Sequence, residues 1–145
     1  MLTKVSAESE SAARLRLAIT RVARRLRQEA NADLSPPLTS ALASIEGHGP
    51  VTPSELANCE RVQRPTITRV LTRLTELRLI ERAADPADGR STLVSITPSG
   101  RALLNELRTR RDAFLADRLS KLSPEDRAVL DRASAVLESL LEDES

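Results

Sequence analysis

The chain has 145 residues, a formal net charge of +1, 40% apolar residues and one aromatic side chain, Phe114. That length suits one domain or one compact lobe with a helical extension, and Leu, Ile, Val and Ala must pack its core. A single cysteine excludes an intrachain disulfide, and with a single histidine no nucleophile–His–acid arrangement or clustered zinc site suggests itself, so neither an enzyme nor a cofactor or metal protein is expected.

The remaining bulk features are equally restrictive. No aromatic platform exists for stacking single-stranded bases. The amino end, MLTKVSAESES, lacks the apolar run of a signal peptide, and no stretch approaches the roughly 18 apolar residues of a membrane span. A cytoplasmic protein is expected.

Residues from about 8 to 31 carry Ala12, Leu15, Ile19, Val22 and Leu26 at helical spacing, which predicts a first helix. Its run of Arg14, Arg16, Arg21, Arg24, Arg25 and Arg27 reads mostly as a solvated face. Four later helix starts are marked by a hydroxyl followed by proline: Ser35-Pro36, Thr52-Pro53, Thr97-Pro98 and Ser123-Pro124. Proline is tolerated in a first helical turn, and Ser or Thr accepts orphan N–H groups there. Thr52…Glu55 adds the spacing of a capping box, and Ser123…Asp126 does so with Asp in place of Glu. The second helix repeats Leu38, Leu42 and Ile45 and stops at Gly47-His48-Gly49-Pro50, where His48 is expected as a turn residue. The third, from Pro53 to about Cys59, is short, and Cys59 is expected as structural filler.

Gln63 or Arg64 opens the fourth helix. Ile67, Val70, Leu71, Leu74 and Leu77 share one face of it. At 100° per residue, Pro65, Arg69 and Thr72 lie at the centre of the opposite face, flanked by Thr68 and Arg73. Between Arg61 and Arg78 five arginines stand against one acid, Glu76, whereas seven bases and ten acids follow Arg101. A basic element on a near-neutral body is the footprint of a DNA reader. Arginine can pair with guanine through two bonds, threonine can touch phosphate, base edge or a thymine methyl, and Gln63 and Arg64 sit where a helix amino end favours phosphate.

Leu79–Ala84 and Ser91–Thr97 then alternate apolar and polar around Asp88-Gly89, a hairpin signal. Arg90 at the tip suits a narrow minor groove, while Asp88 suits shaping the turn or orienting an arginine. Helices from Pro98 to about Leu119 and from Pro124 to Leu141 complete the order α-α-α-α-β-β-α-α. The fold class expected is mainly α with a small β-hairpin wing (α+β), a winged helix-turn-helix.

The segments SELANCERVQRPTITRVLTRLTELRLIER and DPADGRSTLVSITPSGR resemble the MarR (multiple antibiotic resistance regulator) family over nearly the whole chain. The resemblance implies a winged lobe at 35–100 and an intertwined helical dimerisation lobe from 1–34 and 101–145, together one MarR-type domain over 1–145. It implies a homodimer on a pseudo-palindromic double-stranded operator. It further implies repression of nearby efflux, detoxification or stress-response genes, relieved by a small aromatic or phenolic anion. Position by position, Gln63, Arg64, Pro65, Thr66, Thr68, Arg69 and Arg73 match the recognition motif, and Asp88 and Arg90 match the wing. The composition itself supports pairing, since three aliphatic helices flank a small lobe and need partners. Two departures stand out: Arg78 occupies a position where the family has glycine, and aromatic partners for such an effector are lacking. The competing reading is a winged-helix module that docks on protein and never touches DNA, which the concentrated basic face argues against.

Overall fold

The computed structural model describes residues 2–30 and 34–142. In chain order the elements are α1 (Leu2–Glu29), α2 (Pro36–His48), α3 (Pro53–Glu60), α4 (Arg64–Glu76), β1 (Ile80–Ala84), β2 (Thr92–Ile96), α5 (Pro98–Ser120) and α6 (Pro124–Ser139). Every predicted element is present with ends shifted by a few residues, most at the amino end of α1. The chain divides into two compact units, Met1–Arg111 and Asp112–Ser145.

In the first unit, α2, α3, α4 and the hairpin close around one aliphatic core. Leu42, Ile45, Leu56, Ile67, Leu71, Leu74 and Val94 are its most deeply buried side chains. Each such side chain removed from water contributes about 1.5–3 kcal/mol, so the lobe is held by α2 and α4 packing rather than by surface charge. The hairpin is antiparallel, with Ile80 opposite Ile96 and Ala84 opposite Thr92. A single β-bridge extends it: Val51 donates its N–H to the Val94 carbonyl at 3.0 Å and accepts from the Val94 N–H at 2.8 Å. The α2–α3 connection is thereby stitched to the wing.

Helix ends explain how short segments hold. Thr52 forms a complete capping box, its Oγ1 accepting from Glu55 N–H at 3.2 Å while Glu55 Oε2 accepts from Thr52 N–H at 2.8 Å. Ser123 Oγ accepts from Asp126 N–H at 3.1 Å. Ser35 occupies the cap position of α2 without a side-chain cap bond; its carbonyl instead takes the Thr39 N–H at 3.0 Å.

Two helices end on arginines in left-handed backbone, Arg61 at φ 53° and Arg78 at φ 59°. At each, paired backbone bonds seal the last turn. Val62 N–H reaches Ala57 O and Arg61 N–H reaches Asn58 O; Leu79 N–H reaches Leu74 O and Arg78 N–H reaches Thr75 O. This is the Schellman arrangement, normally closed by glycine because a Cβ is disfavoured at positive φ. The turn at Arg78 therefore keeps the conformation that glycine would adopt, with arginine in its place.

Apolar faces of α1 and α6 are uncovered within the chain. Leu15, Ile19 and Val22 of α1 are exposed, and α6 buries no residue at all, with Val129 at 62% and Val136 at 63% exposure and its C-cap Leu140 at 61%. No helix among the described residues is long and apolar enough to cross a membrane.

Candidate nucleic-acid interface

Helix α4 is positioned by its inner face, where Ile67, Leu71 and Leu74 are buried. The same rotation that buries them turns Arg64, Pro65, Thr68, Arg69, Thr72 and Arg73 outward, all exposed, with Thr66 half-buried. Gln63 is the cap residue. Its carbonyl accepts from Thr66 N–H at 3.0 Å and Ile67 N–H at 3.2 Å, and its side chain makes no cap bond. The Gln63 amide and the amino end of α4 thus lie open together, where backbone N–H groups favour an anion.

The exposed side chains are not equally free. Arg64 Nη1 donates to Ser54 Oγ, which ties α4 to the start of α3. Arg73 Nη1 pairs with Glu76 at 3.2 Å, both mostly exposed, a contact worth a few tenths of a kcal/mol. Arg69 only leans on its own helix, its Nε 3.5 Å from Pro65 O. Thr68 Oγ1 donates to Arg64 O and Thr72 Oγ1 to Thr68 O, both at 2.9 Å.

In the wing, Asp88 shapes the turn. Its Oδ1 accepts from Arg90 N–H at 3.1 Å, its Oδ2 from Ser91 Oγ at 3.3 Å, and its carbonyl from Ser91 N–H at 3.0 Å. Asp85 repeats the motif, accepting from Ala87 N–H at 2.9 Å. The hairpin expected around Asp88-Gly89 is present, its strands joined by residues 85–91. Two Asx turns reverse the chain, and Gly89 is not at positive φ. The Arg90 side chain is exposed at this tip.

The base of the wing is fixed by Thr97 and Gly100. Thr97 Oγ1 donates to Arg78 O at 2.8 Å and accepts from Gly100 N–H at 3.1 Å, while Thr97 N–H donates to Leu79 O at 3.0 Å. One residue therefore caps α5 and clamps the α4–β1 corner. A Cβ on Gly100 would lie 2.2 Å from Leu79 O, so only glycine allows this approach. Thr97 is legible in the sequence as a helix start, but neither its clamp on Arg78 and Leu79 nor the Val51 pairing is announced by any local pattern.

Beside α2, Glu46 accepts from Arg108 Nη2 at 2.6 Å, with Arg101 3.9 Å away. The Arg108 hydrogen bond holds the Glu46 carboxyl below its ordinary value of 4.5, outweighing a small upward push from burial, with the charges of Arg108 and Arg101 adding to it. Glu60 braces α3 on α2, accepting from Ser40 at 2.6 Å and Ser44 at 2.5 Å.

Two expectations need correcting. Cys59 is exposed rather than buried filler, because it lies two residues, or about 200°, past buried Ala57 on an eight-residue helix. His48 ends α2 instead of lying in the turn; its Nδ1 donates to Ser44 O at 2.8 Å, leaving Nε2 4.0 Å from Cys59 Sγ. Among the described residues no group of three or more His, Cys, Asp or Glu could hold a metal ion.

A cavity of about 160 Å³ lies in the first unit, lined by Arg24, Arg27, Gln28, Ala30, Leu34, Pro36, Thr39, Leu107 and Arg111. Arg111 Nε is buried there without a hydrogen-bond partner among the described residues.

Comparison with known proteins agrees with this geometry. The MarR family profile matches residues 32–91. An HTH-type transcriptional regulator of Mycobacterium tuberculosis is 37% identical over 142 residues, 97% of this chain and 99% of its own. A crystal structure of a putative transcriptional regulator from Pseudomonas aeruginosa superposes with a TM-score of 0.84 at 35% identity, covering 93% of this chain and 96% of that one. A point mutant of MepR from S. aureus, solved bound to an oligodeoxyribonucleotide, shares the fold at a TM-score of 0.70 and 21% identity, over 91% of this chain and 98% of its own. Six helices, a wing between the fourth and fifth, and full-length relatives that are regulators rather than enzymes lead to one assignment: the chain belongs to the MarR family of transcriptional regulators.

Proposed function

We propose that this protein works as a homodimer that binds a pseudo-palindromic DNA site and represses nearby genes of efflux, detoxification or stress response. The observation that carries the reading is the outer face of α4, where exposed Arg64, Thr68, Arg69, Thr72 and Arg73 surround a helix whose other side is locked in the core. Such a helix fits a major groove, and Arg90 at the wing tip fits the adjoining minor groove or backbone. Gln63, Pro65 and Thr66 form its leading edge, and Asp88 serves by holding the turn that carries Arg90. The DNA-bound state of the distant S. aureus relative supports the same use of the fold.

Pairing is supported by the open aliphatic faces of α1 and α6. A second copy that covered them would form a dimerisation lobe from residues 1–34 and 101–145 and leave 35–100 to read DNA. Two-fold symmetry then matches a palindromic site. Release by a small anion is supported by the cavity where Arg24, Arg27 and Arg111 converge. Its lining holds arginines but no aromatic ring, so an anionic head group rather than ring stacking would supply recognition.

The test is fluorescence anisotropy with duplex DNA from the gene's own upstream region, titrated with salt and with salicylate. Tight binding that weakens steeply with salt is expected. Arg69→Ala should relax sequence discrimination, costing about 1–3 kcal/mol on the preferred site. Arg90→Ala should weaken all duplexes more evenly and lower the salt slope by about 1. Parent-like binding by both variants refutes the contact assignment.

A further inference from the structure

We infer that Thr68 and Thr72 read DNA through their methyl groups, contacting thymine methyls, and not through their hydroxyls; this rests on the DNA-reading role of α4 proposed above. Each hydroxyl has one hydrogen, and in α4 both are already committed. Thr68 Oγ1 donates to Arg64 O and Thr72 Oγ1 to Thr68 O, at 2.9 Å each. Thr75 does the same to Leu71 O at 2.7 Å, as do Thr20 in α1 and Thr109 in α5. The bond is therefore a settled habit of threonine in these helices and does not depend on the α4 surroundings.

A hydroxyl engaged in this way donates to a phosphate oxygen or to the N7 and O6 acceptors of guanine only by giving up its helix bond. It keeps acceptor lone pairs, whereas the Cγ2 methyl of the same exposed side chain has no bonding demand to meet. Thr68 and Thr72 are four residues apart, so they stack on one exposed stripe about 6 Å apart along the axis. The stripe is bordered by Arg69 and Arg73, which carry the donors. A division of labour follows: the arginines recognise guanine acceptors, and the two methyls form a small apolar strip whose complement in the major groove is the C5-methyl of thymine.

The experiment uses a duplex selected by the wild-type protein from a randomised pool, then resynthesised with deoxyuridine in place of every thymidine. Removing the methyls should weaken wild-type binding about fourfold for each thymine methyl contacted, and so about fifteenfold for a two-fold site with one such contact in each half. The double variant Thr68→Val/Thr72→Val keeps the methyl and loses the hydroxyl, and should bind the thymine duplex within about twofold of wild type. Thr68→Ser/Thr72→Ser keeps the hydroxyl and loses the methyl. It should show the full loss on the thymine duplex and no further loss on the uracil duplex. Equal wild-type affinity for the two duplexes overturns the inference, as does a valine variant that fails where the serine variant binds. The uracil comparison needs only the wild-type chain, so a misfolded variant does not rescue the idea. Failure to select any duplex refutes the DNA-reading role itself, a different result from equal binding of both.

Discussion

Replacing Gly100 with alanine should destabilise the protein, although helix propensity alone argues the reverse. Gly100 lies in the first turn of α5, where alanine is favoured over glycine by up to about 1 kcal/mol. Its Cβ would stand 2.2 Å from Leu79 O, 2.8 Å from Ile96 Cγ1 and 3.1 Å from the Leu79 carbonyl carbon. A carbon and a carbonyl oxygen normally meet no closer than about 3.3 Å, so backbone must move by about 1 Å. The moving carbonyl is the one that accepts from Thr97 N–H at 3.0 Å. Overpacking of this kind costs about 1–3 kcal/mol, and loss of the hydrogen bond about 1 more. The net expectation is a loss of about 2 kcal/mol. Far-UV circular dichroism in urea is the assay, because the chain has no Trp or Tyr to report by fluorescence. Parent and variant must be compared at equal concentration if the protein is dimeric. Gly47 in α2 is the control: nothing lies within 4 Å of its added Cβ, so Gly47→Ala should stabilise by about 0.5–1 kcal/mol. Gly100→Ala at parental stability or above would refute the steric argument.

Arg78→Gly should raise stability by about 0.5–1 kcal/mol, because the left-handed cost of arginine exceeds the added flexibility of glycine; a lower urea midpoint would contradict this. Glu46→Gln should lose up to about 1 kcal/mol at neutral pH. Since the folded Glu46 carboxyl titrates below its ordinary value of 4.5, its contribution is present above that pH and is lost as pH falls through the folded value. The gap between parent and variant should therefore close in acid; a pH-independent gap argues against the ion pair. Val136→Asp should weaken self-association by at least about 2 kcal/mol in sedimentation velocity, and parent-like sedimentation would remove α6 from the dimer interface.

Much of this architecture is legible because its signals are local. A hydroxyl-proline pair marks a helix start within one turn, which is why Pro36, Pro53, Pro98 and Pro124 open four helices. Helical spacing separated the buried Ile67, Leu71 and Leu74 from the exposed Thr68, Arg69 and Thr72. What escaped depends on residues far apart in the chain. Glu46 meets Arg108 across 62 positions, and Val51 pairs with Val94 with no periodic pattern to advertise it. The Asp88-Gly89 signal marked the hairpin but not its mechanism: Asp85 and Asp88 turn the chain with their own carboxylates. Cys59 followed its helix phase and not the general tendency of thiols to hide.

Helix α4 is held between two residues that occupy the small left-handed region of backbone space. Glycine at positions 61 and 78 would wander through wide tracts of backbone space, whereas an arginine at φ 53° or 59° occupies a narrow basin with steep walls. Both corners are consequently stiff as well as strained, and α4 is presented at a nearly set angle. On the DNA-reading role proposed above, adjustment to different sequences then falls to long guanidinium side chains, which can swing without disturbing the frame that carries them.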